Sequence, residues 1–472
     1  AVNTARAMKA VDPTIKVGVL MVPGGGQDVY CEWNTTVARM AGPVADFVVV
    51  HVYAPKVVKD VPISPQQEVN LIESTMGVTE QIDHHLKEYH KMVKEQCGRE
   101  LPLAATEFNI GAVTNTPRPY RYTFAAALEC ADMMRVFLKP ENGVAMAHYW
   151  QLANGYWGML QSSGTLSEPT IDKRPAFPVF KLFVEHLGET LVATEVDAPL
   201  QSAFGYLGAY PADADEYEPG GEVLATIGSE EILSKVYFEK FNTEEAAASL
   251  EGDVFIVDID GLSQKRYPTF ATVDIPTGIE GPCDFRFSYE ARFIGEPDKP
   301  TPSATIGLMD KRGYSQTGSA VSVSGGTAHE WTEYSGILNA LVDATGVTLV
   351  ARLEDGGGMT GRLEVRNMQI EVIRKERFPE YPLLTAMATI SEDGETTTLI
   401  VINKSEVLDI ETDILLDGFD SKSARLWEVN APGLLAQTDV AQTKTAEPLP
   451  LDAGDATYVF PAHSITAIEF SR

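Results

Sequence analysis

Three apolar runs in this chain end in side chains that can do chemistry. "DFVVVHVY" (46–53) finishes on His51 and Tyr53, "LPLAATEFN" (101–109) on Glu107 and Asn109, and "GVAMAHYWQL" (143–152) on His148, Trp150 and Gln151, with Asn154 close behind. A carboxylate can serve as nucleophile, acid or base. Imidazole, phenol and amide groups hold hydroxyls, and aromatic rings offer an apolar wall. One glutamate at one strand end is more often a solvated end or half of an ion pair. Several neighbouring runs that all end this way form the pattern a carbohydrate site requires.

Such groups need elements that bring them to one place. The three runs, with "IKVGVLMV" (15–22) before them, are short and nearly continuous in apolar residues, as strands of a parallel sheet covered on both faces are. Helical patterns alternate with them: Glu32 to Met40, Gln67 to Cys97, Tyr120 to Leu138 and Ala176 to His186. Strand and helix in alternation predict an α/β domain, doubly wound or a barrel. In a barrel the carboxyl ends of the strands share the face where active sites are built. After about residue 190 short strand candidates separated by Gly, Pro, Asp and Thr take over, which predicts β-sandwich or jelly-roll material.

Composition narrows the class. The 472 residues suffice for two or three domains with real cores. With 37 Lys and Arg against 67 Asp and Glu, the net charge of −30 repels nucleic acid and anionic lipid surfaces. The cysteines Cys31, Cys97, Cys130 and Cys283 form neither a disulfide framework nor a zinc pattern. No run is long and apolar enough for a membrane span, and the residues from Ala1 onward do not read as a basic-then-apolar leader. "VPGGGQD" (22–28) lacks the Lys-Ser/Thr of a phosphate loop, and no Gly-x-Ser-x-Gly elbow occurs. His84, His85 and His90 are not spaced to hold a metal. Asn34 and Asn403 open glycosylation sequons, which matter only in a eukaryotic secretory pathway.

"VDPTIKVGV", "DFVVVHVY", "ATEFNIG", "VAMAHYWQLANGYWGML" and "PAHSITAIEF" together resemble the later part of the α-L-arabinofuranosidases of glycoside hydrolase family 51. The resemblance covers roughly 1–235 and 377–472. It implies the second half of a (β/α)8 barrel, strands five to eight, over 1–187, then a β-sandwich from 188–235 and 377–472. It implies a retaining glycosidase acting on α-L-arabinofuranosyl linkages of hemicellulose or arabinan, without metal or cofactor. Glu107 matches the nucleophile, in Thr-Glu-Phe-Asn where the family usually has Asp-Glu-Trp-Asn. Phe108 in place of that Trp would alter the pocket wall and admit another glycan. His51 and Tyr53 match the residues that position nucleophile and sugar, and Gln151 matches the amide after the eighth strand. Asn109, Trp150, Tyr156 and Trp157 are expected to line the substrate.

The family's acid/base is the Glu of an Asn-Glu pair, and this chain has no Asn-Glu dipeptide. Four strands are also half of what a barrel needs. The expectation is therefore that the chain is the C-terminal part of a longer protein. A preceding segment or another polypeptide would cover the edge beside "IKVGVLMV" and bring the second carboxylate to about 5–5.5 Å from Glu107. The segment 236–376 lies outside this resemblance; its ending, "EWTEYSGILNALVDATGVTLVARLEDGGGMTGRLEVRNMQIEVI", is similar to family 4 and 9 carbohydrate-binding jelly rolls. An inserted jelly roll is expected there; Trp331, Tyr334 and Tyr314 are either a sugar-stacking platform or core aromatics, with core packing the favoured reading. The other class left open is a glycosidase-derived, non-catalytic glycan-binding or cell-surface protein. The expected partner is a polysaccharide or oligosaccharide, with a homo-oligomer left open, outside the cell or at its surface, the cytoplasm being the alternative.

Overall fold

The computed structural model describes residues 2–21, 33–55, 65–112, 114–153, 155–165, 167–204, 220–238, 243–264, 266–281, 283–295, 303–311, 328–338, 345–354, 358–375, 377–438 and 440–472. The fold is mixed, with few helices and many strands. Its first part runs α1 (Val2–Val11), β1 (Gly18–Leu20), α2 (Trp33–Ala41), β2 (Phe47–Tyr53), α3 (Pro65–Cys97), β3 (Leu103–Asn109), α4 (Phe124–Leu138) and β4 (Val144–Tyr149). A hairpin of β5 (Leu160–Gly164) and β6 (Pro169–Lys173) follows, then α5 (Ala176–His186). Strands β1 to β4 form one parallel sheet in sequence order.

The two faces of that sheet differ. Val48, Val50, Val52, Ala105 and Phe108 are buried with residues of α2 to α5 in one core. Phe108 packs against Phe137 of α4, Tyr149 of β4 and Phe180 of α5. On the opposite face the register lines up Leu20, Val49, Ala104 and Met146 across all four strands. The ends of this apolar row are open to solvent, Leu20 at 52% and Met146 at 43%. Among the described residues no helix is long and apolar enough to cross a membrane.

The β-rich part contains β7 (Thr190–Val192), β8 (Leu200–Phe204), β9 (Val223–Ile227), a short α6 (Ser229–Ser234), β10 (Ala246–Glu251), β11 (Val254–Leu262), β12 (Thr269–Asp274), β13 (Cys283–Gly295), β14 (Ser303–Asp310), β15 (Thr332–Leu338), β16 (Gly346–Glu354) and β17 (Met359–Arg374). The chain closes with β18 (Arg377–Pro382), β19 (Leu384–Ile390), β20 (Thr396–Asn403), β21 (Ile410–Ile414), β22 (Ser423–Asn430), β23 (Ala441–Leu449), β24 (Ala456–Phe460) and β25 (Ser464–Ser471). β10, β11, β17, β13 and β15 pair in that order, and β12, β16 and β14 form a second sheet; residues of both share one core. In the last part the sheet order is β23-β22-β25-β20-β19-β7, with β8 beside β18.

Strand β9 differs from the expected division at residue 235. Ile227, Thr226, Ala225 and Val223 pair with Ile370 to Ile373 of β17, so this strand belongs with the sheets of β10 to β17. β17 is 16 residues long, and β11 occupies only its first half on that edge. The remaining backbone groups need a partner, and β9 supplies it.

The last part is tied to the first by charge as well as by core. Asp132 of α4 is fully buried and receives Arg135 Nε at 2.5 Å, Thr385 Oγ1 of β19 at 2.7 Å and Lys404 Nζ, just past β20, at 3.1 Å; Thr79 of α3 also donates to it. Burial alone would raise the Asp132 pKa, but the charges of Arg135 and Lys404 overcome it and hold the carboxyl well below the usual range.

Both sequon asparagines are buried. Asn34 donates to Tyr89 Oη, and Asn403 donates to the carbonyls of Leu408 and Phe460, so neither side-chain amide is presented for glycosylation in the folded chain.

Candidate active site

Glu107 lies near the carboxyl end of β3 because β3 is bulged. Val50 pairs with Ala105 and His51 with Glu107, so β3 has one more residue than β2 at this point. Against β4, Ala105 pairs with Ala147 and Phe108 with Tyr149, leaving Thr106 and Glu107 opposite the single His148. Ala105 and Phe108 both face the helices. Strict alternation would send Glu107 to the helix side with Ala105; the extra residue turns it to the open face instead.

There Tyr53 Oη donates to Glu107 Oε2 at 2.8 Å, and His51 Nδ1 lies 3.6 Å from the same oxygen. The Glu107 side chain is 29% exposed. Burial first, then the hydrogen bond to Glu107, pushes the Tyr53 phenol well above its ordinary range, so Tyr53 remains a donor at any physiological pH. Among the described residues Tyr53 is the one hydrogen-bond donor to Glu107, and a carboxylate so held suits attack on an electrophilic carbon. Among the described residues no three His, Cys, Asp or Glu side chains converge as metal ligands would.

The aromatic residues stand beside it. Trp157 packs on Tyr53 with ring centres 5.4 Å apart and donates Nε1 to the Ile110 carbonyl at 3.1 Å. Tyr156 meets Trp157 edge-on at 4.7 Å and is partly exposed, as is Trp150. Gln151 follows Trp150 through a cis peptide, and its carbonyl accepts from Met159 N. Its side-chain amide sits over Gly155, whose φ is +62°; a Cβ there would come within 2.1 Å of Gln151 Oε1. Gln151 makes no hydrogen bond to Glu107 among the described residues.

Two expectations need correction. Asn109, expected at the substrate, is 1% exposed; it donates to the Trp150 carbonyl at 2.7 Å and accepts from Ile110 N, so it joins the end of β3 to the loop after β4. Phe108 does not wall the pocket, because the bulge points it into the helix-side core. Of the two readings of the jelly-roll aromatics, core packing fits Tyr334, which is buried and accepts from Ala328 N; Arg292 and Arg366 stack over Trp331, and Tyr314 lies outside the described residues, as do Asn154 and "VPGGGQD".

Sequence reasoning passed over Arg121, Tyr122 and Arg174. The Arg121 guanidinium lies 3.5 Å over the Tyr156 ring, and Arg121 Nε and Tyr122 Oη both donate to the Tyr156 carbonyl. The only available signal was the "YRY" of 120–122, which carries no spacing rule.

No family model matches the chain, and no curated protein matches it. Solved structures do. An arabinofuranosidase crystal structure aligns over 100% of this chain and 60% of its own length, at 15% identity and a TM-score of 0.51. A family 51 α-L-arabinofuranosidase from Bifidobacterium longum aligns over 99% and 61%, at 12% identity and a TM-score of 0.50. The fold is thus similar to glycoside hydrolase structures, and the chain spans about 60% of the length of these neighbours.

Proposed function

We propose that this chain is the C-terminal part of a retaining glycoside hydrolase that cleaves α-L-arabinofuranosyl linkages of hemicellulose or arabinan. The observation that carries the reading is the Glu107 carboxylate, turned to the open face by the bulge and held by Tyr53 at 2.8 Å beside His51. Glu107 attacks the anomeric carbon and the glycosidic bond to the leaving oxygen breaks. A second carboxyl outside this chain's numbering protonates that oxygen, then takes a proton from the water that releases the sugar. Trp157, Tyr156 and Trp150 wall the sugar, Gln151 binds its hydroxyls, and Asn109 keeps the loop of Trp150 and Gln151 in place. No cofactor is needed for this chemistry.

In this reading residues 1–187 are half of a (β/α)8 barrel. The apolar row from Leu20 to Met146, open to solvent at both ends, supports it, because an apolar layer below the catalytic groups is what the other four strands of a barrel would cover. The covering half comes from the same or another polypeptide and brings the acid/base. β7, β8 and 377–472 form the C-terminal sandwich, while β9 to β17 form an inserted jelly roll and candidate carbohydrate-binding module. The protein works outside the cell or on its surface.

The test is covalent trapping. The complete polypeptide is incubated with an activated 2-deoxy-2-fluoro-arabinofuranoside and digested for mass spectrometry. A glycosyl adduct on the peptide containing Glu107 is the expected result. An adduct on a different carboxylate removes Glu107 as nucleophile, and retained glycan binding without any adduct favours the non-catalytic alternative.

A further inference from the structure

The histidine of β4 stands in the same row as the reacting carboxylate. Strand β2 presents Val49, His51 and Tyr53 to the open face, since Val48, Val50 and Val52 enter the helix-side core. On β4, Ala147 and Tyr149 pack against that core, so Met146 and His148, both exposed, share the open face. The register pairs His51 with Glu107 and leaves Thr106 and Glu107 opposite His148. His51, Glu107 and His148 therefore form one row across three strands, a step beyond the apolar row of Val49, Ala104 and Met146.

The two sides of this row are used differently. On the β2 side, His51 Nδ1 lies 3.6 Å from Glu107 Oε2, and Tyr53 donates to the same oxygen. On the β4 side, no hydrogen bond, ion pair or ring contact holds His148 among the described residues. Histidines elsewhere are held by the chain: His186 by Glu469, His329 by the Phe293 carbonyl, and His463 by the carbonyls of Glu406 and Ala431. The loop that carries Trp150, Gln151 and Tyr156 also leaves from the end of β4. The groups that hold the carboxylate thus come from the β2 side, and the β4 side is left to a ligand. Adjacent strands lie about 4.8 Å apart, and an attacked carbon sits about 3–3.5 Å from its nucleophile. The hydroxyls of a sugar ring seated on Glu107 therefore reach the next strand, where an imidazole can donate to a hydroxyl or accept from it.

We propose that His148 binds a hydroxyl of the sugar whose anomeric carbon Glu107 attacks, and so takes part in selecting that sugar. This deepens the glycoside hydrolase reading and rests on it. The test is steady-state kinetics of the complete polypeptide on 4-nitrophenyl α-L-arabinofuranoside and on its 2-, 3- and 5-deoxy forms. Wild type, His148→Ala, His148→Gln and Glu107→Gln are compared on all four substrates.

His148→Ala should lower kcat/KM on the parent substrate about five- to tenfold, the worth of one hydrogen bond between neutral groups. On one of the three deoxy substrates it should be no worse than wild type, because the hydroxyl that His148 holds is already missing. His148→Gln keeps a donor and should keep part of the parent activity. If circular dichroism shows His148→Ala misfolded, His148→Leu, which keeps the bulk without a polar atom, replaces it with the same expectations. Equal activity of wild type and variant on the parent, or the same loss on all four substrates, overturns the assignment of His148. The hydrolase reading then stands as long as Glu107→Gln is inactive. No turnover by the wild-type polypeptide, or undiminished turnover in Glu107→Gln, overturns both.

Discussion

Glu107 and Asp132 are carboxylates 25 positions apart, on a strand and on the helix that follows it, and they have opposite surroundings. Asp132 is fully buried and faces two cations, Arg135 and Lys404, with the Thr79 and Thr385 hydroxyls completing its donors. Glu107 is partly exposed and is held by a neutral phenol, with His51 near the same oxygen. The first carboxylate is neutralised and immobile. It joins α4 to the last part of the chain and has no lone pair to spare. The second has an open side, which a nucleophile needs. A charged group in a protein is recognised as structural or chemical by what surrounds it, and identity alone says little.

The largest expected effect that separates the two is on turnover. Glu107→Gln in the complete polypeptide should lower kcat at least about a thousandfold on an activated arabinofuranoside, with the thermal midpoint hardly moved. Asp132→Asn should do the reverse. It removes the fully buried partner of Arg135 and Lys404 and leaves only the partly exposed Glu80 beside them, so about 3–5 kcal/mol of stability should be lost in a denaturant titration. Normal turnover in the first variant, or an unchanged denaturation midpoint in the second, breaks the comparison.

A smaller effect is expected from Tyr53→Phe, which removes the donor to Glu107 but keeps the ring against Trp157. A hydrogen bond to a charged group is worth about 1.5–3 kcal/mol, so kcat should fall about ten- to a hundredfold while stability stays close to wild type. An effect on the melting temperature alone would make Tyr53 a packing residue.

The pH dependence of stability sharpens the comparison further. Asp132 is depressed in the folded state, so its contribution is complete above the unfolded carboxylate pKa of about 3.9 and is lost as pH falls below it. His85, buried in α3 edge-on to Tyr89, has its pKa lowered by burial, and then by His84, to about 3. The unfolded chain protonates this histidine near pH 6.5 and the folded chain does not, so stability should decline as pH falls from 6.5 towards 3. In His85→Phe the curve of melting temperature should flatten across that window and keep the fall below about pH 4 that belongs to Asp132. An unchanged slope between 6.5 and 4 would refute the assignment.

The smallest effect concerns Gln151. Gly155→Ala puts a methyl group against its amide at a φ of +62°, so substrate affinity should weaken modestly with kcat little changed. A drop in kcat equal to that of Tyr53→Phe would bring Gln151 closer to the reacting atoms than its present contacts suggest.

Much of the layout was determined by the sequence itself. Apolar runs of strand length alternating with helical patterns specify a parallel sheet, and each ends in polar groups because the carboxyl end of such a strand meets loops and solvent. His51, Tyr53 and Glu107 were legible for that reason. What local pattern could not reveal depends on partners distant in the chain. The bulge at Thr106 decides that Glu107 faces outward from the core while Phe108 enters it, and a bulge is a property of two paired strands. Asn109 reads as a ligand residue until the Trp150 carbonyl closes over it. β9 reads as part of the last sandwich until the length of β17 claims it. Arg121 and Arg174 lie 53 positions apart, and only the folding of both onto Tyr122 makes them neighbours. Side-chain type and period are encoded in single segments, whereas facing, burial and charge pairing are settled only when separate segments pack.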